Sequence, residues 1–76
     1  MSKNAKISQF PPGVVLEIEV VFSNEYRIGY RFKNIHYLPG SSSYFSFNKA
    51  LNRCWAAFLS RFTEDGNERT QEDGTA

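Results

Sequence analysis

The sequence predicts a small two-layer α+β domain, in which an antiparallel sheet of two or three strands packs against one C-terminal amphipathic helix (ββ(β)α). Three observations predict this fold. Large apolar residues in segment 46–62 recur at spacings of three and four, the period of a helix face. Segments 14–22 and 26–32 alternate apolar and polar side chains, as half-buried strands do. A chain of 76 residues has room for one such core and little more.

Polar composition marks both ends of the chain. Residues 1–9 contain Ile7 as the only large apolar side chain after Met1, and we expect them to form a flexible arm. Residues 63–76, TEDGNERTQEDGTA, contain no large hydrophobic side chain, and we expect a disordered acidic tail. The predicted domain is therefore residues 10–62.

The first two predicted strands are Val14–Phe22 and Tyr26–Phe32. A one-residue slip in their pairing would set an apolar face against a polar one, so the loop between them must have an odd length. A three-residue loop, residues 23–25, pairs Phe22 with Tyr26 and sets Glu17 opposite Arg31. Opposite charges across a hairpin are favourable. The predicted inward side chains are Leu16, Ile18, Val20, Phe22, Tyr26, Ile28, Tyr30 and Phe32.

The third strand has two alternatives, residues 35–38 and residues 42–45, separated by a loop rich in Gly and Ser. The helix that follows begins at Ser46 or Asn48, because either short side chain can accept a hydrogen bond from the first turn. The predicted core consists of Leu16, Ile18, Val20, Ile28, Tyr30, Phe32, Leu51, Cys54, Trp55, Phe58 and Phe62.

The residues that could carry catalysis are few. His36 is the single histidine, and Cys54, the single cysteine, falls on the apolar face of the helix, where a thiol is usually inert packing. Glu17 and Glu19 are explained as partners of arginines across the hairpin. One His and one Cys cannot form a four-ligand zinc site, and no nucleotide-binding motif is present. We therefore expect no enzymatic activity, no metal site and no cofactor.

Cysteine use and hydropathy bear on location. A single cysteine cannot form an intrachain disulfide, which small secreted domains usually require. No apolar run has the length of a signal peptide or of a membrane span. The sequence thus favours a cytoplasmic protein without a membrane partner.

Charge is unevenly distributed. Residues 1–62 carry eight Lys or Arg against three Glu, whereas residues 63–76 carry five acids against Arg69. A basic body favours an anionic partner, with the acidic tail as its competitor. This suggests a sheet-based nucleic-acid-binding protein, an accessory of recombination or transcription, as one functional class. The order of elements resembles, in architecture only, the arm-binding domains of some tyrosine recombinases.

The strand RIGYRF is similar to the aromatic RNP strand of RNA-recognition modules. It departs from that pattern at Ile28, which replaces a glycine. RNA recognition would also need exposed stacking aromatics. Tyr30 and Phe32 share a face with Ile28, where the helix is expected to cover them.

A protein partner is the class that we favour. The predicted outer sheet face mixes Val15 and Val21 with charges, a composition typical of interfaces, and a short sheet edge can accept a partner strand. We therefore expect a small non-enzymatic protein that modulates or inhibits a protein partner, of the kind encoded by phages and mobile elements against host defences. A homodimer is a further alternative. The candidate partner-binding residues are Arg27, Arg31, Lys33, Tyr37, Tyr44, Lys49 and Arg53.

Overall fold

The computed structural model describes residues 5–22, 24–41 and 43–69 and has the predicted α+β architecture. After a short 3-10 helix, Ile7–Gln9, the elements are β1 (Val15–Val21), β2 (Glu25–Phe32), β3 (Ile35–Tyr37) and α1 (Phe47–Arg61). The strands form an antiparallel sheet in the order β1-β2-β3, and α1 packs on one face of this sheet.

The β1–β2 hairpin corrects the predicted register. The ladder pairs Val21 with Glu25, which leaves residues 22–24 between the strands, and not residues 23–25. The predicted register is therefore wrong by two positions. Phe22 has a φ of 60°, and this left-handed conformation ends the extended strand one residue early. Because the shift is even, every side chain within the ladder keeps its predicted face.

The turn after β2 determines the third strand. Lys33 and Asn34 both have positive φ, the backbone signature of the type I′ turns that join tightly paired strands. Phe32 therefore pairs directly with Ile35, and β3 corresponds to the predicted alternative 35–38. In the other alternative, of which residues 43–45 are described, Tyr44 forms an isolated bridge with Tyr26 on the same edge of β2.

The helix begins and ends close to the predicted positions. Ser46 is its N-cap, and the Ser46 side chain accepts a hydrogen bond from the backbone N–H of Lys49 at 3.3 Å. At the other end, the backbone N–H of Phe62 donates to the Phe58 carbonyl. The buried core consists of Ala5, Ile28, Tyr30, Phe32, Ala50, Leu51, Cys54, Phe58 and Phe62.

Four predicted core residues lie outside this buried set, and one of them, Leu16, is partly buried and packs against it. Ile18 is 46% exposed and Val20 is 55% exposed, so the prediction is wrong for both. Trp55 is only partly buried, stacked on Phe58 at 5.6 Å and edge-on to Phe10 at 4.8 Å. The helix packs mainly on β2. A single helix about 10 Å wide is too narrow to cover three strands spaced at about 4.8 Å together with their side chains.

Packing extends beyond the predicted domain limits of 10 and 62. Ala5 is buried, and its N–H donates to Asn52 Oδ1 at 2.6 Å. After the helix, the N–H of Thr63 donates to the Asn67 carbonyl at 2.7 Å. Residues 5–9 and 63–69 of the predicted arm and tail thus contact the domain, and the remainder of both segments lies outside the described residues.

Candidate binding surface

The sheet has an outer face that α1 does not cover. Its cross-strand pairs include Glu17 with Gly29, Glu19 with Arg27, and Arg31 with His36. These residues alternate along the strands with the side chains that enter the core. The outer face is thus a charged surface assembled from all three strands.

Glu17 is the centre of this charged surface. It lies opposite Gly29, which has no side chain, so the carboxylate extends toward residues beyond its direct partner. Arg31 forms an ion pair with Glu17 at 3.0 Å, and His36 Nε2 donates to Glu17 Oε1 at 2.5 Å. The predicted pair of Glu17 and Arg31 therefore forms, but as a diagonal contact. Glu17 links β1 to β2 and to β3, and both of its oxygens are engaged.

Glu19 is held less firmly. Its partner Arg27 lies directly opposite, but the shortest distance between the charged atoms is 3.7 Å, and the Glu19 side chain is 63% exposed. Both residues line an open groove of about 420 Å³. The segment Leu38–Gly40 forms the other wall, because the chain crosses the outer face after β3. Glu19 is thus the carboxylate of this face that is available to an incoming cation.

Three predicted binding residues serve the fold itself. Lys33 Nζ donates to the Gly66 carbonyl at 2.9 Å and lies over the ring of Phe32. Tyr37 stacks on the buried ring of Tyr30, with 5.5 Å between ring centroids. Tyr44 exchanges two backbone hydrogen bonds with Tyr26.

The two remaining predicted residues, Lys49 and Arg53, are exposed one turn apart on α1. They lie on the side of the helix that faces away from the sheet, whereas Arg27 and Arg31 lie on the sheet face that faces away from the helix. The structure therefore brings Arg27 and Arg31 together but separates them from Lys49 and Arg53 by both layers of the domain.

The edge of β1 is a feature that the sequence reasoning did not locate, although it expected that a short sheet edge could accept a partner strand. Tyr26 exchanges its backbone hydrogen bonds with Tyr44, on the side away from β1. Because backbone groups alternate in direction along an antiparallel strand, Val20, opposite Tyr26, directs its own N–H and C=O away from β2. The same alternation applies to Leu16 and Ile18. These three residues present their backbone donors and acceptors along the edge of the sheet, where no described strand pairs with them.

Apolar side chains accompany these backbone groups. Ile18 and Val20 are the half-exposed side chains on the helix side of β1, and Phe22, which follows in the loop, is 89% exposed. We call Leu16, Ile18 and Val20, with their free backbone groups, the β1 edge. The sequence carried a signal for this exposed edge in the number of predicted elements, because one helix cannot cover three strands.

Two findings concern groups that could react or bind a metal ion. The Cys54 side chain is fully buried, and this burial raises the pKa of its thiol to about 12. Among the described residues, no group of three His, Cys, Asp or Glu side chains could hold a metal ion. Within the same part of the chain, no helix has the length and apolarity needed to cross a bilayer.

A scan of the chain against family models finds no match, and searches of the curated proteins and of the solved structures find no significant similarity.

Proposed function

We propose that this protein is a non-enzymatic binding protein that modulates a protein partner and contacts it through the β1 edge. The observation that carries the proposal is the coincidence of two features on one strand. Backbone groups without a described partner occur at the same residues as the half-exposed side chains of Ile18 and Val20. Addition of a strand satisfies both, because the backbone ladder supplies affinity and the alternate side chains supply contact area.

The distribution of cations favours this class over nucleic-acid binding. Arg27 and Arg31 are paired with carboxylates, and Lys33 binds a backbone carbonyl. Lys49 and Arg53 lie on the opposite layer. A duplex requires several phosphate-binding cations on one surface, and the five predicted cations do not form such a surface. The inhibitory role and the phage or mobile-element origin expected from the sequence stay predictions.

Capture from a lysate of the source organism tests the proposal. The immobilised full chain is compared with Val20→Lys, which places a charge beside the edge, and with Phe45→Lys, which makes the same change at an exposed aromatic outside the strands. We expect the full chain and Phe45→Lys to capture the same protein in a one-to-one complex, and Val20→Lys to lose it. Circular dichroism melts establish that both variants are folded.

Two outcomes would contradict the proposal. Capture of one protein by all three chains would place the binding surface elsewhere on the molecule. Recovery of nucleic acid, with loss of the captured material after nuclease treatment, would favour the alternative class.

A further inference from the structure

The charges beside the β1 edge restrict which strand can pair with it. Glu17 and Glu19 point to the outer face and alternate with the residues of the β1 edge, whose backbone groups have no partner in the described strands. In any added strand, the residues directly opposite these two glutamates lie within reach of their carboxylates, at Cβ distances of about 4.5–5.5 Å. The chemistry of those opposing positions therefore decides which strand fits.

A second copy of this chain does not fit in antiparallel pairing. Leu16, Ile18 and Val20 are the residues whose backbone groups point away from β2. Hydrogen bonding between two copies therefore requires these residues of one copy to pair with the same residues of the other. The central register, with Ile18 opposite Ile18, sets Glu17 against Glu19 twice. Registers shifted by two residues set Glu17 against Glu17 or Glu19 against Glu19. Every antiparallel register in which two or more residues of the β1 edge form hydrogen bonds thus sets carboxylates directly opposite each other, which is destabilising.

We infer that the occupant of the β1 edge is an extended segment of a partner protein in which Lys or Arg alternates with apolar residues. This inference deepens the proposed function and depends on it. The apolar residues lie beside Ile18 and Val20 on the helix side. The cations lie opposite Glu17 and Glu19 on the outer face. Glu19 carries most of the selectivity, because Arg31 and His36 already engage both oxygens of Glu17, whereas Arg27 stands 3.7 Å from Glu19.

A pair of labelled peptides tests this inference on the full chain. One capped heptapeptide has three valines that alternate with two lysines between terminal threonines, and its partner has glutamates in place of the lysines. The two lysines attract the carboxylates of Glu17 and Glu19, whereas two glutamates at the same positions repel them. We therefore expect the lysine peptide to bind about tenfold or more tightly, as measured by fluorescence anisotropy. Methylation of the central backbone nitrogen removes a ladder hydrogen bond and is expected to abolish binding.

A charge-matched pair of variants locates the selectivity. Glu19→Lys is expected to reverse the preference between the two peptides, whereas Glu64→Lys changes the net charge equally at an exposed position outside the sheet and should preserve it. Because a peptide this short binds weakly, amide chemical shifts at millimolar peptide provide a second readout. The amides of Leu16, Ile18 and Val20 are expected to shift most.

Three results would overturn the inference. The first is equal binding of the two peptides, or an equal effect of the two variants. The second is the absence of shifts along the β1 edge at millimolar peptide. The third is a dimer in sedimentation equilibrium that Val20→Lys dissociates, which would identify a second copy as the occupant. If lysate capture still depends on Val20 while the peptides show no preference, the proposed function stands and only this inference fails.

Discussion

Gly29 lies directly beneath the carbonyl oxygen of Tyr37, where the chain leaves β3 and crosses the outer face of the sheet. A β-carbon at position 29 would overlap this oxygen and would stand 3.2 Å from Cδ of Pro39. Glycine is normally a weakness within a strand, since it loses the most conformational freedom on folding. At this position it is required, because only a residue without a side chain allows the main chain to pass so closely.

Gly29→Ala is therefore expected to destabilise the protein. Overpacking against a main-chain atom typically costs about 1–3 kcal/mol, whereas the same substitution in an open strand would stabilise by roughly 0.5–1 kcal/mol. Thermal unfolding measures the sign of the effect. Arg31→Ala, which removes an exposed ion pair from the same face, serves as the control and should cost no more than about 1 kcal/mol. An increase in melting temperature for Gly29→Ala would contradict the close passage of the Tyr37 carbonyl over Gly29.

The burial of the Cys54 thiol predicts that it reacts slowly in the native protein and that the stability of the protein falls at alkaline pH. Because burial raises its pKa to about 12 from an ordinary value of 9.0, the native thiol should resist alkylation at pH 8 and react fully once the chain is unfolded. The native state also retains this proton at pH values where the unfolded chain loses it. The stabilisation is thus complete below pH 9 and is lost as the pH rises to 12, by up to about 4 kcal/mol.

Urea unfolding between pH 8 and pH 11 measures this loss, and Cys54→Ala should reduce the slope. Some alkaline destabilisation should remain in the variant, because burial also raises the pKa of Tyr30. Rapid labelling of the native protein at pH 8 would show that the thiol is accessible.

The fold could be predicted from the sequence because its signals are local. Alternation defines β1 and β2, and Ser46 lies where a cap is needed. The register could not be predicted fully. The alternation of side chains fixes the face on which each residue lies, but a shift of two residues in the pairing leaves every face unchanged. That shift depended on the left-handed φ of Phe22, an unusual conformation for an aromatic residue.

The candidate surface was harder to predict from the sequence. Arg27 and Arg31 were predicted to lie together with their carboxylate partners, and they do. The exposure of Ile18 and Val20 depends on which strand the helix covers, a property of packing that no pattern within one strand records. Likewise, charge composition does not reveal that Lys49 and Arg53 occupy the opposite layer.

The segment after α1 provides a stability prediction. Arg69 Nε donates to the carbonyl oxygens of Leu59 and Phe62, which lie at the end of the helix, where carbonyls lack helical partners and a cation is favourable. Arg69→Ala should cost about 1–2 kcal/mol and lower the melting temperature by roughly 5–15 °C. Arg53→Ala removes an exposed arginine in the middle of the helix and should have little effect. Equal melting temperatures for the two variants would show that residues 63–69 add nothing to the fold.

The salt dependence of duplex DNA binding distinguishes the two functional classes. If all five predicted cations contacted phosphates, a log–log slope of about −0.9 per contact would reduce the affinity roughly 140-fold between 50 and 150 mM salt. Of these five cations, only Lys49 and Arg53 have side chains that form no ion pair or hydrogen bond with another described residue. Two contacts predict only about a sevenfold reduction, from an affinity that is already weak. Anisotropy titrations with a labelled duplex measure the slope, and Lys49→Glu with Arg53→Glu should abolish the remaining binding. A steep slope that Arg27→Ala and Arg31→Ala flatten would instead place the phosphates on the outer face of the sheet, and the nucleic-acid class would then replace the protein-binding one.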